Sequence, residues 1–431
     1  MLQNWFKLQE NGTNVRTEVT AGMTTFLTMV YIVVVNPAIL SSAGVPFQQV
    51  FTATVISAII GTLLMGLLAN HPIAIAPGMG MNAYFASVVA SQGVTYQVVF
   101  GAVFLAAILF VILTFTKLRE MLIAAIPPAL KFGITAGIGL FIAFLGLKSS
   151  GIVVPNEATM VGFGDLHQPV TILTLLGLLV TLILMVRNVK GALFVGMAVT
   201  AIAGSFMGLL NFDAGVVSLP SAPVLFDLDV QGVFTNGLYT VVFAFLLVTI
   251  FDTTGTMIGV AEQAGIMKDG KLPRTKQALM ADAFATTAGS VMGTTPCTAY
   301  IESSAGVAAG GRTGLTTVVV ALMFGVSLFF APVIQAISGL PAITAPALII
   351  VGCFMMDGLA RIKWNQFDEA FPAFAIIVSM PLTSSIATGI AIGFITYPVM
   401  KLFSGKGREV HPLLYIFGVI FALQMVYFPA H

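Results

Sequence analysis

Charge is what this sequence has least of. Of its 431 residues 8% are Asp, Glu, Lys or Arg while 58% are hydrophobic, and the mean hydropathy is +1.02. A water-soluble domain carries roughly 25% charged residues, so the composition excludes a soluble fold and predicts an integral membrane protein. Cysteine is nearly missing. Cys297 and Cys353 both fall in apolar stretches, which leaves neither a disulfide framework nor a metal site. The histidines His71, His167, His411 and His431 are scattered near the ends of apolar runs, so no metal-ligand or nucleophile–base constellation forms. No cofactor and no enzymatic activity are therefore expected. No G-x-x-x-x-G-K-[ST] loop is present to cradle ATP phosphates, and "GGRTG" (310–314) lacks that pattern. A net charge of +1 without a basic tract excludes nucleic acid as a partner. The opening "MLQNWFKLQENGTNVRTE" has no apolar h-region, so it is expected to be retained rather than cleaved as a signal peptide.

What the chain does have is apolar runs of about 20 residues, the length that spans a bilayer core as helix. They lie near 20–39, 48–69, 94–115, 129–147, 168–187, 191–211, 236–260, 278–293, 314–333, 343–359, 368–383, 384–403 and 411–428. Two more stretches, 73–91 and 294–311, are hydrophobic but interrupted by Gly and Pro. Lys117, Arg119, Arg187, Lys190, the run "KDGKLPRTK" (268–276), Arg312, Arg361, Lys363, Lys401, Lys406 and Arg408 all fall on the N-terminal side of the membrane. The opposite loops carry Glu157, Asp165, Asp213, Asp227 and Asp229. The positive-inside rule then predicts a cytoplasmic N-terminus.

Seven elements reach the far side by about residue 212, and seven more return by about 403, which predicts an inverted repeat of about 14 transmembrane segments. The expected organisation is an N-terminal segment (1–19), a first half (20–212), a connector (213–235), a second half (236–403) and a C-terminal segment with an extra helix (404–431). The third element of the first half contains "APGMGMNAYFASVVA" (76–90), and that of the second half contains "TTPCTAYIESSAGVAAGG" (294–311). Each follows a short extended stretch. Close helix packing by small residues would account for either alone. Broken segments at matching positions, both with polar groups, instead predict a transporter's binding cavity at mid-membrane.

Acids within the spans are few. Glu302 sits in the second broken segment, Asp252 in "LLVTIFDTTGTMIG" (246–259), and Asp282 near a cytoplasmic end, where partial hydration and a supporting role are expected. A mid-membrane acid costs about 2.5–3.5 kcal/mol on insertion scales and by default marks a functional pathway. Near them in the reading stand Asn82, Tyr84, Phe85, Phe251, Thr249 and Tyr300. Amide, carboxylate and aromatic groups together suit a planar hydrogen-bonding heterocycle. No basic cluster is available for a multiply charged anion, although a small-anion carrier of the same architecture is the alternative.

The motifs "NVRTEVTAGMTTFLTMVYIVVVNPAIL" (14–40), "APGMGMNAYFA" (76–86), "FDTTGTMIGVAEQAG" (251–265) and "AYIESSAGVAAGGRTGLT" (299–316) resemble the AzgA-like purine permeases, a branch related to the nucleobase–ascorbate transporters. The resemblance covers about residues 5–430 and looks closest to bacterial adenine permeases. It implies proton-coupled uptake of adenine, hypoxanthine or guanine, adenine first, across the bacterial cytoplasmic membrane. It also implies an all-α, 7+7 inverted-repeat fold of core and gate subdomains, often in a homodimer. By the family's motifs, Asp252 and Glu302 serve substrate and proton, and Asn82 joins them. Gly80, Phe85 and Tyr300 follow at the same motifs. Several members carry a further acid where this chain has Thr249.

Overall fold

The computed structural model describes residues 2–116, 121, 125–212, 215–267 and 272–427. Lys117, Arg119, Asp213 and the first part of the 268–276 run lie outside them.

After a short α1 (Leu2–Trp5), the first span is built in two pieces, α2 (Val15–Met29) and α3 (Ile32–Ser42). Asn14 starts α2 by accepting the Thr17 N–H at 3.0 Å. The sequence predicted an uninterrupted helix here, and the break at Val30–Tyr31 is new. α4 (Phe47–Leu64) crosses back and widens into a π turn, Met65–Ala69, which Asn70 ends in the left-handed conformation. β1 (Ile75–Pro77) and α5 (Met79–Gln92) form the first broken segment, and α6 (Tyr96–Phe115) follows. α7 (Pro128–Ser149), a hairpin of β2 (Val153–Asn156) and β3 (Met160–Phe163), α8 (Pro169–Val186) and α9 (Ala192–Phe206) complete the first half.

The connector holds a short helix, α10 (Val230–Thr235), capped by Asp229. The second half runs through α11 (Tyr239–Gln263), α12 (Thr275–Met292), β4 (Cys297–Ala299), α13 (Ser303–Ala308) and α14 (Gly314–Ser327). It continues with α15 (Ala331–Ser338), α16 (Pro341–Phe354), α17 (Phe367–Thr383), α18 (Ile386–Phe403) and α19 (Pro412–Tyr427). Among the described residues nine helical runs, the interrupted Val15–Ser42 included, are long and apolar enough to cross a membrane. The shorter helices and the two broken segments supply the remaining elements of the repeat.

Packing repeats with the sequence. α6 packs on α12 as α14 packs on α4, and the pair α8–α9 is mirrored by α17–α18. α7, α16 and α17 form one tightly packed group, while α2, α4, α12 and α14 belong to another. The extra helix α19 lies against α18, and its Phe417 and Phe421 meet Phe243 of α11 at ring-centroid distances of 4.9 and 5.6 Å.

Two buried carboxylates organise this scaffold away from the centre. Glu18, in the first turn of α2, accepts the backbone N–H groups of Arg312 (2.9 Å), Thr313 (3.3 Å) and Thr316 (3.2 Å). It thereby satisfies donors that the start of α14 leaves unpaired within the helix. Asp282 is wholly buried. That corrects the expectation of partial hydration: α12 is clasped by α4 and α6, so its acid faces protein rather than water.

Candidate functional site: a strand crossing and the cavity beside it

A strand at mid-membrane needs partners for its backbone, because the bilayer offers none. β1 and β4 supply them to each other as an antiparallel pair, with Ile75 opposite Ala299, Ala76 opposite Thr298 and Pro77 opposite Cys297. The ladder extends evenly at both ends: Gly78 N–H donates to Pro296 O and Tyr300 N–H to Ala74 O, each at 2.9 Å. Two threonines close the remaining edges. Thr62 Oγ1 donates to Ile75 O at 2.8 Å and accepts the Ile75 N–H at 3.0 Å. Thr286 Oγ1 does the same for Cys297, at 3.2 and 3.1 Å. Equivalent positions in the two halves thus do equivalent work, and the crossing point is fixed by side chains from α4 and α12.

This crossing places the start of α5 inside the protein, next to β4 of the other half. Helix geometry leaves the N–H groups of Met79, Gly80 and Met81 without an intrahelical acceptor. Beside them is a cavity of about 10 Å3, room for one water-sized body. One wall is Gly80 with Val248, Phe251 and Asp252 of α11. The facing wall is Ile134, Thr135 and Ile138 of α7 with Met355. One wall belongs to α7 and its packing group and the other to α5 and α11, so moving α7 away from α5 and α11 is what would enlarge the space. Lys131, one turn before Thr135, places its Nζ 5.8 Å from the centre of the Phe251 ring, a second contact across the same boundary.

Of the predicted site residues, the structure brings Gly80, Phe251 and Asp252 to this cavity. The Thr298 side chain of the strand crossing lies near the Asp252 carboxylate. Glu302, between β4 and α13, lies within electrostatic reach of Asp252 but is held from the other side. Tyr31 donates its hydroxyl to Glu302 Oε1 at 2.5 Å, and Thr28 donates to the Glu302 carbonyl at 3.3 Å. Residues at and just before the break in the first span therefore hold Glu302. Asn82 and Phe85 leave α5 on its other side. Thr295 donates to Asn82 Oδ1, Asn82 Nδ2 is buried without a partner, and the Phe85 ring packs 4.5 Å from that of Phe100. Thr249 turns back on its own helix, donating to Phe245 O at 2.7 Å, and Tyr300 donates its hydroxyl to Pro77 O.

Sequence reasoning missed Tyr31, Thr135 and the paired threonines. A tyrosine or threonine in an apolar run carries no local signal, and only the partner across the fold gives it meaning.

Residues 16–392 match the permease family Xan_ur_permease. The chain belongs to this family. Among its relatives, the guanine/hypoxanthine permease PbuO of Bacillus subtilis is 59% identical over 430 residues, covering 97% of this chain and 99% of the relative. The adenine permease AdeP of Escherichia coli is 46% identical, covering 100% of this chain and 97% of the relative. Among solved structures, the transmembrane domain of a cyanobacterium bicarbonate transporter, BicA, superposes with TM-score 0.69 at 16% identity, covering 88% of this permease and 97% of that chain. SLC26A9 superposes with TM-score 0.65 at 14% identity, covering 90% and 66%. At such identities the likeness establishes the fold, the 7+7 inverted repeat, and not the cargo. The permease is a multi-pass membrane transporter rather than an enzyme, as the sequence predicted.

The cavity geometry gives a direct test of the moving boundary. A Cβ on Gly80 would stand 2.6 Å from Ile138 Cγ2 on the facing wall. Gly80→Ala is expected to disfavour the closed arrangement by about 1–3 kcal/mol, the usual penalty for overpacking. Uptake should fall accordingly, and adding Ile138→Ala should restore much of it. A single variant with normal uptake would show that the two walls do not need to approach this closely.

Proposed function

We propose that this permease is a secondary active symporter that takes purine nucleobases up together with protons. The observation that carries the reading is Asp252. It is a carboxylate on the wall of a cavity between α11 and α7, beside the first-turn amides of α5, which have no acceptor within that helix. In this reading Asp252 accepts from a purine N–H, the Gly80 turn donates to a ring nitrogen, and Phe251 stacks on the ring face. Glu302, oriented by Tyr31, carries or responds to the coupling proton, and its proximity to Asp252 links protonation to affinity. Asn82, Phe85, Thr249 and Tyr300 act on the substrate from behind, by fixing the walls that touch it. Access alternates as α7 and α16 move against α5 and α11.

Adenine is the first cargo to test, as the sequence motifs imply. Guanine or hypoxanthine is the second reading, favoured by the 59% identity to a permease named for them. The anion-carrier alternative fares worse. The fold likeness to a bicarbonate transporter is compatible with it, but an acid on the cavity wall repels an anion. A bacterial cytoplasmic membrane, a cytoplasmic N-terminus and a homodimer complete the proposal.

The deciding experiment is uptake of radiolabelled adenine into proteoliposomes, with and without an inward proton gradient, competed by unlabelled hypoxanthine and guanine. Gradient-driven accumulation that resists both competitors supports adenine symport. Accumulation blocked by hypoxanthine keeps the mechanism and moves the cargo. Absence of gradient-dependent uptake for all three purines defeats the reading.

A further inference from the structure

We propose that Thr135 is a specificity-determining residue, accepting a hydrogen bond from the substrate on the ring edge opposite the one held by Asp252. The inference rests on the purine reading of the cavity and concerns its facing wall. That wall is Ile134, Thr135, Ile138 and Met355, so Thr135 supplies its one polar side chain among the lining residues. Its hydroxyl has a single proton, and that proton is used: Thr135 Oγ1 donates to Lys131 O, one turn back on α7, at 3.2 Å. What Thr135 offers to the cavity is therefore lone pairs. Asp252, across the cavity, is an acceptor as well. A ring bound between them must carry N–H groups on both edges.

Purines with a donor at position 1 or 6 meet that demand. Hypoxanthine and guanine carry an N1–H, and adenine carries a 6-amino group. Unsubstituted purine carries neither and keeps only the N–H of its five-membered ring. Thr135 thus separates substituted purines from the bare ring, while Asp252 alone would hold both. Because Thr135 rides on α7, its bond to substrate forms as the gate wall closes, so recognition on this side is coupled to closure.

The test is competition of labelled-substrate uptake by adenine, hypoxanthine and unsubstituted purine in wild type, Thr135→Val and Thr135→Ser. The preference for the better of the two substituted purines over bare purine should fall by about tenfold in Thr135→Val, the size of one lost hydrogen bond. Thr135→Ser should stay within about twofold of wild type. Both compounds pass through the same molecules, so expression and folding cancel in the ratio. An unchanged ratio in Thr135→Val, whether or not overall uptake falls, overturns the proposal and leaves the hydroxyl bonded only to its own helix. Failure of wild type to take up any of the three would instead defeat the purine reading itself, and this inference with it.

Discussion

Glu302→Gln in proteoliposomes is expected to abolish accumulation against a gradient while leaving exchange of substrate across the membrane measurable. A pH difference of one unit supplies about 1.4 kcal/mol per proton, equivalent to about tenfold accumulation. The variant should instead equilibrate its substrate to a ratio of about one. The reason lies in what the substitution keeps. Tyr31 donates to Glu302 Oε1 at 2.5 Å, and a glutamine carbonyl oxygen accepts the same bond. Thr28 bonds the backbone carbonyl, which the substitution does not touch. Both bonds from the first span can therefore persist, and only the titratable proton is lost. Asp252 remains on the cavity wall to hold the ring. Tenfold, pH-dependent accumulation by Glu302→Gln would remove Glu302 from the coupling mechanism and leave Asp252 to carry it alone.

The two broken segments were legible in the sequence because Gly and Pro punctuate apolar runs, and matching punctuation in two halves is visible without a structure. Their register was not. The pairing of Ile75 with Ala299 joins residues from opposite halves, and no periodicity along the chain encodes it. The same holds for Thr62 and Thr286, which look like ordinary span residues until the strand each one clasps is seen. Asp252, which lines the cavity, stood out because an acid is costly in an apolar helix, whereas Gly80 beside it was singled out by the family motif alone. Asn82 and Phe85 come from the same motif as Gly80, yet helical periodicity sends them to another face of α5. A motif names a neighbourhood, and the helix decides which of its members look into the cavity. The first span shows the reverse error. "TMVYIVVV" has nothing to stop a helix, yet the helix is interrupted at Val30–Tyr31, where the Tyr31 hydroxyl bonds Glu302.

Lys401 was counted in the sequence only as one more basic residue on the cytoplasmic side, and Lys401→Met is expected to be the most destabilising single change outside the cavity. Its ammonium lies 2.9 Å from Asp368 Oδ2 and 2.6 Å from Glu369 Oε1, with the side chain 4% exposed. The two acids open α17 and the lysine closes α18, so this cluster pins the ends of a helical hairpin in the group that also contains α7. Breaking a buried ion pair by removing one partner costs about 3–5 kcal/mol, because the surviving charge stays buried. Lys406, also 2.9 Å from Asp368, and Tyr397, donating to Glu369 at 3.0 Å, compensate in part and place the expected loss near the lower end, about 3 kcal/mol. Lys406→Met should cost far less, about 0–1 kcal/mol, because its side chain is 40% exposed. Thermal unfolding of the purified permease in detergent separates the two. The triple change Lys401→Met, Asp368→Asn, Glu369→Gln should recover much of the loss by removing the stranded charges along with their partner. If Lys401→Met and Lys406→Met shift the unfolding temperature equally, the hairpin is held by its apolar packing on α7 and the charges merely decorate its end.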